Sequence, residues 1–234
     1  MREDGSLIKR WLFRAQYKYR NFGIDNLMMY ISVTMLAVYM LQFLMNVNIY
    51  HWLTLSRAPV LQGQVWRLLT FVFIPPSSNG IFWLLLSLYV YYFLGNSLEQ
   101  YWGKFYFTVY YVFGVIGAVI AAMMTGYGTN EYINTSLLLA YAQLFPNQEF
   151  RLFFFIPVKV KYIGYVTWFF YLSSLVFSGL LRGNWAVVGS LIAALINFFI
   201  FFGPDFIDRI RENRKYAARR RQFKKDSRDF RDRF

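Results

Sequence analysis

Leu27–Met45 reads LMMYISVTMLAVYMLQFLM, an unbroken run without a single charged side chain. At a helical rise of about 1.5 Å per residue it reaches about 28 Å. That is close to the roughly 30 Å of hydrocarbon in a bilayer. Five further stretches have the same character: Ile81–Gly95, Phe105–Met124, Ile133–Phe145, Ile163–Leu180 and Trp185–Phe202. The expected fold is therefore an all-α membrane protein of six transmembrane helices. The second and fourth stretches are short, so protein should shield their ends or they should open on a cavity, because bare backbone is heavily disfavoured in lipid.

The rest of the chain agrees with that reading. Hydrophobic residues make up 57% of the 234 positions and charged ones only 16%, against about a quarter charged in soluble domains. The charges are banked at the two ends and in connectors, as in chains that keep ions out of lipid. No cleaved signal peptide is expected, since no small-residue cleavage site follows a short apolar core near the start. There is no cysteine, which excludes disulfides, thiolate nucleophiles and cysteine metal sites. The one histidine, His51, cannot build a metal site without carboxylates beside it, and neither a metal nor a cofactor is expected.

Lys and Arg set the direction of the spans. Six precede the first span, Lys104 follows the second, Arg151, Lys159 and Lys161 follow the fourth, and twelve lie beyond Asp205. Only Arg57, Arg67 and Arg182 fall on the opposite face. The positive-inside rule then places both termini in the cytoplasm. Three segments follow: residues 1–25, a basic and amphipathic interfacial helix; residues 26–203, the membrane domain; and residues 204–234, a polybasic tail. In the tail, Arg219, Arg220, Arg221, Lys224 and Lys225 are expected to meet anionic lipid. RNA, including the ribosome, is a second reading of the tail, because Arg and aromatic side chains also suit phosphates and bases.

The connector Asn46–Asn79 is too apolar for water, with Trp52, Leu61, Val65, Trp66 and Leu69 among its side chains. It should dip into the outer leaflet. Within it, Gly63-Gln64-Val65-Trp66-Arg67-Leu68-Leu69-Thr70 resembles the Trp-Arg signature of the first loop in rhomboid proteases and their derlin-like relatives. Gly95-Asn96-Ser97-Leu98-Glu99-Gln100-Tyr101-Trp102-Gly103 is similar to that family's turn after the second span. Leu144-Phe145-Pro146-Asn147 through Tyr162 looks like the loop after the fourth span in bacterial rhomboids. The resemblance covers roughly residues 26–202 and implies a rhomboid-like six-helix bundle with a membrane-immersed first loop; its bacterial-type loop motifs imply a bacterial plasma membrane. Architectural roles fit the residues themselves: Trp66 at the interface, the donor fork of Arg67 on loop carbonyls, and the Glu99 carboxylate on N–H groups of the second loop. Gly189 and Ala193, with Ser190 between them, permit close helix approach on the sixth span.

Rhomboids cleave peptide bonds in the membrane with a Ser–His dyad, because a hydroxyl is a weak nucleophile until a base takes its proton. The resemblance carries the serine to Glu131, the histidine to Ala186, and two oxyanion donors to Trp83 and Ser87. All four positions depart from the family pattern. Ser136 lies five residues past the serine position, where a hydroxyl bonded one turn back is the simpler reading. Glu131 is an ionisable group near the expected cleft mouth. Such a group is a functional candidate by default, with simple exposure in a short loop as its alternative.

What the resemblance implies is a pseudoprotease: an inactive scaffold that binds transmembrane segments of client proteins and perturbs the bilayer locally. A lateral gate is then expected between the second and fifth spans, with Trp83 and Trp168 beside it and core packing as their alternative role. An intramembrane peptidase with a non-standard site is the competing expectation. A transporter ranks behind both, because the chain shows no evident inverted repeat.

Overall fold

The computed structural model describes residues 23–45, 48–76, 80–152 and 156–203. The interfacial helix expected before Gly23 and the tail residues Arg219, Arg220, Arg221, Lys224 and Lys225 lie outside the described residues. Among the described residues, five helices are long and apolar enough to cross a membrane. They are α1 (Leu27–Met45), α5 (Ile81–Trp102), α6 (Lys104–Thr125), α8 (Val160–Ser174, carried on as a π-helical turn over Leu175–Leu181) and α9 (Trp185–Gly203). The chain is thus a membrane-embedded, multi-pass protein.

The fourth stretch differs. It forms α7 (Glu131–Leu144), whose 14 residues fall below the length of the other five. The side chains of Ile133, Asn134, Ser136, Leu137, Leu139, Ala140, Tyr141 and Ala142 are all buried, which takes in nearly every side of the helix. A helix buried all round belongs in the centre of a bundle, and α7 packs on α5, α6 and α8.

Other boundaries move for identifiable reasons. Hydropathy ends the second span at Gly95, but α5 runs to Trp102 because its last turns still have inward work: Leu98 is fully buried and Glu99 holds the start of α1. The family-like segment from Gly95 to Trp102 is therefore helix, and only Gly103 is turn. Its φ of 84° breaks α5 and lets α6 start at the next residue. Hydropathy likewise starts the fifth span at Ile163, whereas α8 begins at the buried Val160, where the preceding strand ends; Lys161 and Tyr162 merely lower the local average.

An all-α class also omits two small sheets. In the first connector, α2 (Ile49–Leu53), β1 (Leu55–Ser56), α3 (Arg57–Leu61), α4 (Arg67–Thr70) and a 3-10 turn (Phe71–Phe73) follow one another. Strand β1 pairs antiparallel with β2 (Tyr127–Gly128), tying this connector to the turn between α6 and α7. Strands β3 (Glu149–Leu152) and β4 (Ile156–Lys159) form a hairpin between α7 and α8.

Close helix contact decides the rest. A Cβ on Gly95 would lie 2.4 Å from the Cβ of Met28, so α1 and α5 meet almost backbone to backbone. On α6, Phe107, Tyr110, Tyr111, Gly114, Ala118, Ala121 and Ala122 form one inward stripe at helical spacing. Gly117 of that helix faces Ala193 of α9, and Gly189 of α9 faces Thr125 of α6. Aromatic rings continue the contact between α6 and α9: Tyr110 lies 5.0 Å edge-on to Phe201, and Phe198 stacks on Phe202 at 4.8 Å.

Candidate functional site

The first connector is organised by a buried cation. Arg67, at the start of α4, is only 3% exposed. Its Nη1 donates to the carbonyls of His51 (2.7 Å) and Thr54 (2.9 Å), and its Nε donates to Gln64 Oε1 (2.7 Å). A planar fork of fixed donors suits this task, which a single ammonium would not do. Trp66 beside it is exposed, as are Trp52, Leu61, Val65 and Leu69. A polar knot inside and an apolar skin outside describe a loop suited to lie in lipid.

The connector is fastened to α7 by a residue that carries no signal in the sequence. The Asn130 side-chain amide donates to Val72 O (2.9 Å) and Ile74 O (2.8 Å), closing the end of the 3-10 turn. At the other end of the bundle, Glu99 Oε1 accepts the backbone N–H of Asn26 at 2.8 Å, while its Oε2 is buried without a hydrogen-bond partner. Glu99 thus holds the N-terminus of α1, whose Asn26 has a φ of 55°, rather than N–H groups of the second loop. The adjacent ion pair Lys104–Asp25 (3.1 Å) ties the start of α6 to the same segment before α1.

Polar side chains inside the bundle converge on α7. Tyr110 of α6 donates to the oxygens of Ser136, at 3.1 Å to Oγ and 3.2 Å to O. Tyr111 donates to Asn134 Oδ1 at 3.3 Å, and Asn197 of α9 reaches Tyr110 O at 3.4 Å. The Ser136 hydroxyl itself donates to Ile133 O at 2.6 Å, one turn back in its own helix. Two asparagines within apolar runs are a legible signal of interhelical bonding, but their tyrosine partners are not legible from a sequence already rich in tyrosine.

Between α7, α8 and α9 lies a cavity of about 260 Å³. Helix α7 contributes Glu131, Tyr132 and Thr135 to its wall, and Leu191 of α9 closes one side. From α8 come Thr167, Phe170, Tyr171 and Ser174, the last just before the π-helical turn. Glu131 occupies the first position of α7 rather than a loop, and it is exposed at the mouth. Its main chain is fixed from both sides: Glu131 N–H donates to Thr129 Oγ1 (3.0 Å), and Glu131 O accepts the Thr135 hydroxyl (2.8 Å).

The other positions singled out by the sequence stand apart from this cavity. Trp83 is exposed on the first turn of α5, edge-on to Phe82, and its carbonyl accepts the Ser87 hydroxyl at 2.9 Å. Ala186 lies on the first turn of α9, where its carbonyl accepts the Ser190 hydroxyl at 3.0 Å. Trp168 rests against Phe198 and Phe199 of α9 at 5.8 and 6.0 Å. His51 is exposed on α2, with its ring edge-on to Trp52. Among the described residues no three His, Asp or Glu side chains gather as a metal ion would require.

A comparison with models of known protein families finds no match, and no curated protein matches the chain.

Proposed function

We propose that this chain is a catalytically inactive, rhomboid-like membrane protein of six membrane helices, both ends in the cytoplasm, that binds transmembrane segments of client proteins and thins the bilayer around itself. The observation that carries this reading is α7. Fourteen residues of helix reach only about 21 Å, roughly 9 Å short of an ordinary hydrocarbon core. Enclosed by α5, α6 and α8, α7 does not itself face the lipid. Its shortness leaves one end of the bundle to the first connector, which Asn130 ties to it. An apolar connector immersed there thins the leaflet. The apolar skin of the first connector, anchored by Arg67, supports immersion in one leaflet next to it. A client would approach between α5 and α8, both of which pack on α7.

The inactive reading rests on where the proton acceptors are. The Ser136 hydroxyl is committed to Ile133 O within a buried helix turn, and the His51 ring is on the exposed α2. Glu131, Ala186, Trp83 and Ser87 occupy the positions where the family resemblance would put nucleophile, base and oxyanion donors.

The test uses purified full-length protein in nanodiscs, with a photocrosslinking residue at position 83 or 168. A single-span hydrophobic peptide should crosslink, and a soluble control protein of similar charge should not. Equal capture of both, or of neither, would rule out the client-binding reading. A fluorophosphonate probe should leave the protein unlabelled; labelling abolished by Ser136→Ala would make it a serine hydrolase. The second reading, a peptidase built on Glu131, is favoured only by that residue's place at the cavity mouth. A measured cleavage lost in Glu131→Gln would establish it.

A further inference from the structure

The cavity between α7, α8 and α9 has a hydrogen-bonding character that its residue types alone do not reveal. Five hydroxyl-bearing residues line it, Tyr132, Thr135, Thr167, Tyr171 and Ser174, and three of these hydroxyls have given their proton away inside the protein. Thr135 Oγ1 donates to Glu131 O at 2.8 Å, Thr167 Oγ1 to Ile163 O at 2.8 Å, and the Tyr171 hydroxyl to Tyr132 O at 3.0 Å. A hydroxyl has one proton and two lone pairs, so what remains on these oxygens is acceptor capacity. The one charged group in the wall is a carboxylate, Glu131. No Lys or Arg pairs with it among the described residues. The rest of the wall includes Tyr132, Phe170 and Tyr171, with the two tyrosine rings edge-on at 5.9 Å. Aromatic faces attract cations.

From these facts we infer that the cavity is a binding site for a primary alkylammonium group. Acceptor lone pairs take its N–H donors, Glu131 at the mouth supplies the counter-charge, and the rings take its carbon stem. The volume limits the ligand. At about 260 Å³ the cavity is smaller than the range of roughly 300–1,000 Å³ for drug-sized ligands, so it admits a small headgroup and not a helix or a folded peptide. Two sources carry such a group: a free alkylamine, and the headgroup of an aminophospholipid in the leaflet beside the mouth. An anion is disfavoured chiefly by the Glu131 carboxylate at the mouth, and three of the five hydroxyls in the wall have no proton left to give it. This assignment stands whether or not the protein binds clients.

The test uses the full chain in nanodiscs of phosphatidylglycerol, which has no amine. Ethylammonium is added and the melting temperature followed, since a ligand that binds only the folded state raises it in proportion to occupancy. Saturable stabilisation is expected, with tetramethylammonium, which has no N–H, weaker. Glu131→Gln should weaken ethylammonium by about tenfold or more, the equivalent of one good charge-assisted contact. Glu149→Gln, an exposed carboxylate on the hairpin, should leave it unchanged. A second arm assigns the source: native mass spectrometry of protein from phosphatidylethanolamine–phosphatidylglycerol vesicles. Retained phosphatidylethanolamine that is lost in Glu131→Gln identifies the lipid headgroup; no retained lipid, with the free amine bound, identifies the soluble ligand. The inference fails if neither source binds, if Glu131→Gln binds as well as wild type, or if potassium chloride at equal strength reproduces the stabilisation. Phe170→Leu guards against a general charge effect, because it should weaken ethylammonium while leaving Glu131 in place.

Discussion

At the scale of single residues, two positions are under the greatest physical constraint. Arg67 is a buried cation whose charge is distributed over His51 O, Thr54 O and Gln64. Arg67→Ala leaves those acceptors unpaired within the connector, and hydrogen bonds to charged groups contribute about 1.5–3 kcal/mol each. A loss of about 3 kcal/mol or more is expected from intrinsic tryptophan fluorescence in a denaturation series. Arg67→Lys should recover only part of it, since an ammonium cannot reproduce the fork. Gly95 is constrained by space instead. With Met28 Cβ only 2.4 Å from where a side chain would begin, even Gly95→Ala must push α1 off α5. Overpacking of this kind costs about 1–3 kcal/mol, readable as a fall in melting temperature. The companion Met28→Ala, which removes the Cγ but keeps the Cβ, should relieve little of it.

At the scale of elements, the connector and α7 behave as one unit because Asn130 joins them. Asn130→Ala removes both bonds to the end of the 3-10 turn and leaves the buried carbonyl of Val72 and the half-buried one of Ile74 without this partner, at about 1–3 kcal/mol. Hydrogen exchange should then accelerate across residues 71–76 while α6 stays protected; uniform acceleration would show that the link is not local. Tyr110 and Ser136 form the corresponding link between α6 and α7. Tyr110→Phe should cost about 1 kcal/mol. In a double-mutant cycle, Ser136→Ala added to Tyr110→Phe should cost less than the sum of the two, because both remove one shared contact. Additive values would mean the hydroxyls act separately.

At the scale of the whole molecule, the proposed immersion of the first connector's exposed apolar side chains in one leaflet has a consequence in lipid. Stability should be greater in bilayers of shorter acyl chains, with a mismatch cost of a fraction of a kcal/mol per Å. The check is the melting temperature of the protein reconstituted across a series of phosphatidylcholines of increasing chain length; an optimum at ordinary or greater thickness would count against local thinning.

What the sequence determined unaided is what hydropathy and charge can carry. Both are local or additive properties. Leu27–Met45 matches α1 to the residue, and the last span begins at Trp185 as α9 does. The donor chemistry of Arg67 and the ionisable character of Glu131 also follow from residue type. Averaging over windows loses boundaries where a helix turns from lipid to protein, and so the reading stops at Gly95 although α5 goes on to Trp102. Only the tertiary structure decided the partners. Glu99 reaches Asn26 across 73 positions, Asn130 reaches Val72 across 58, and Tyr171 reaches Tyr132 across 39. No local pattern encodes such pairings, since each depends on which helix faces lie together. The acceptor lining of the cavity has the same origin: a threonine is donor and acceptor alike until the fold fixes where its proton goes.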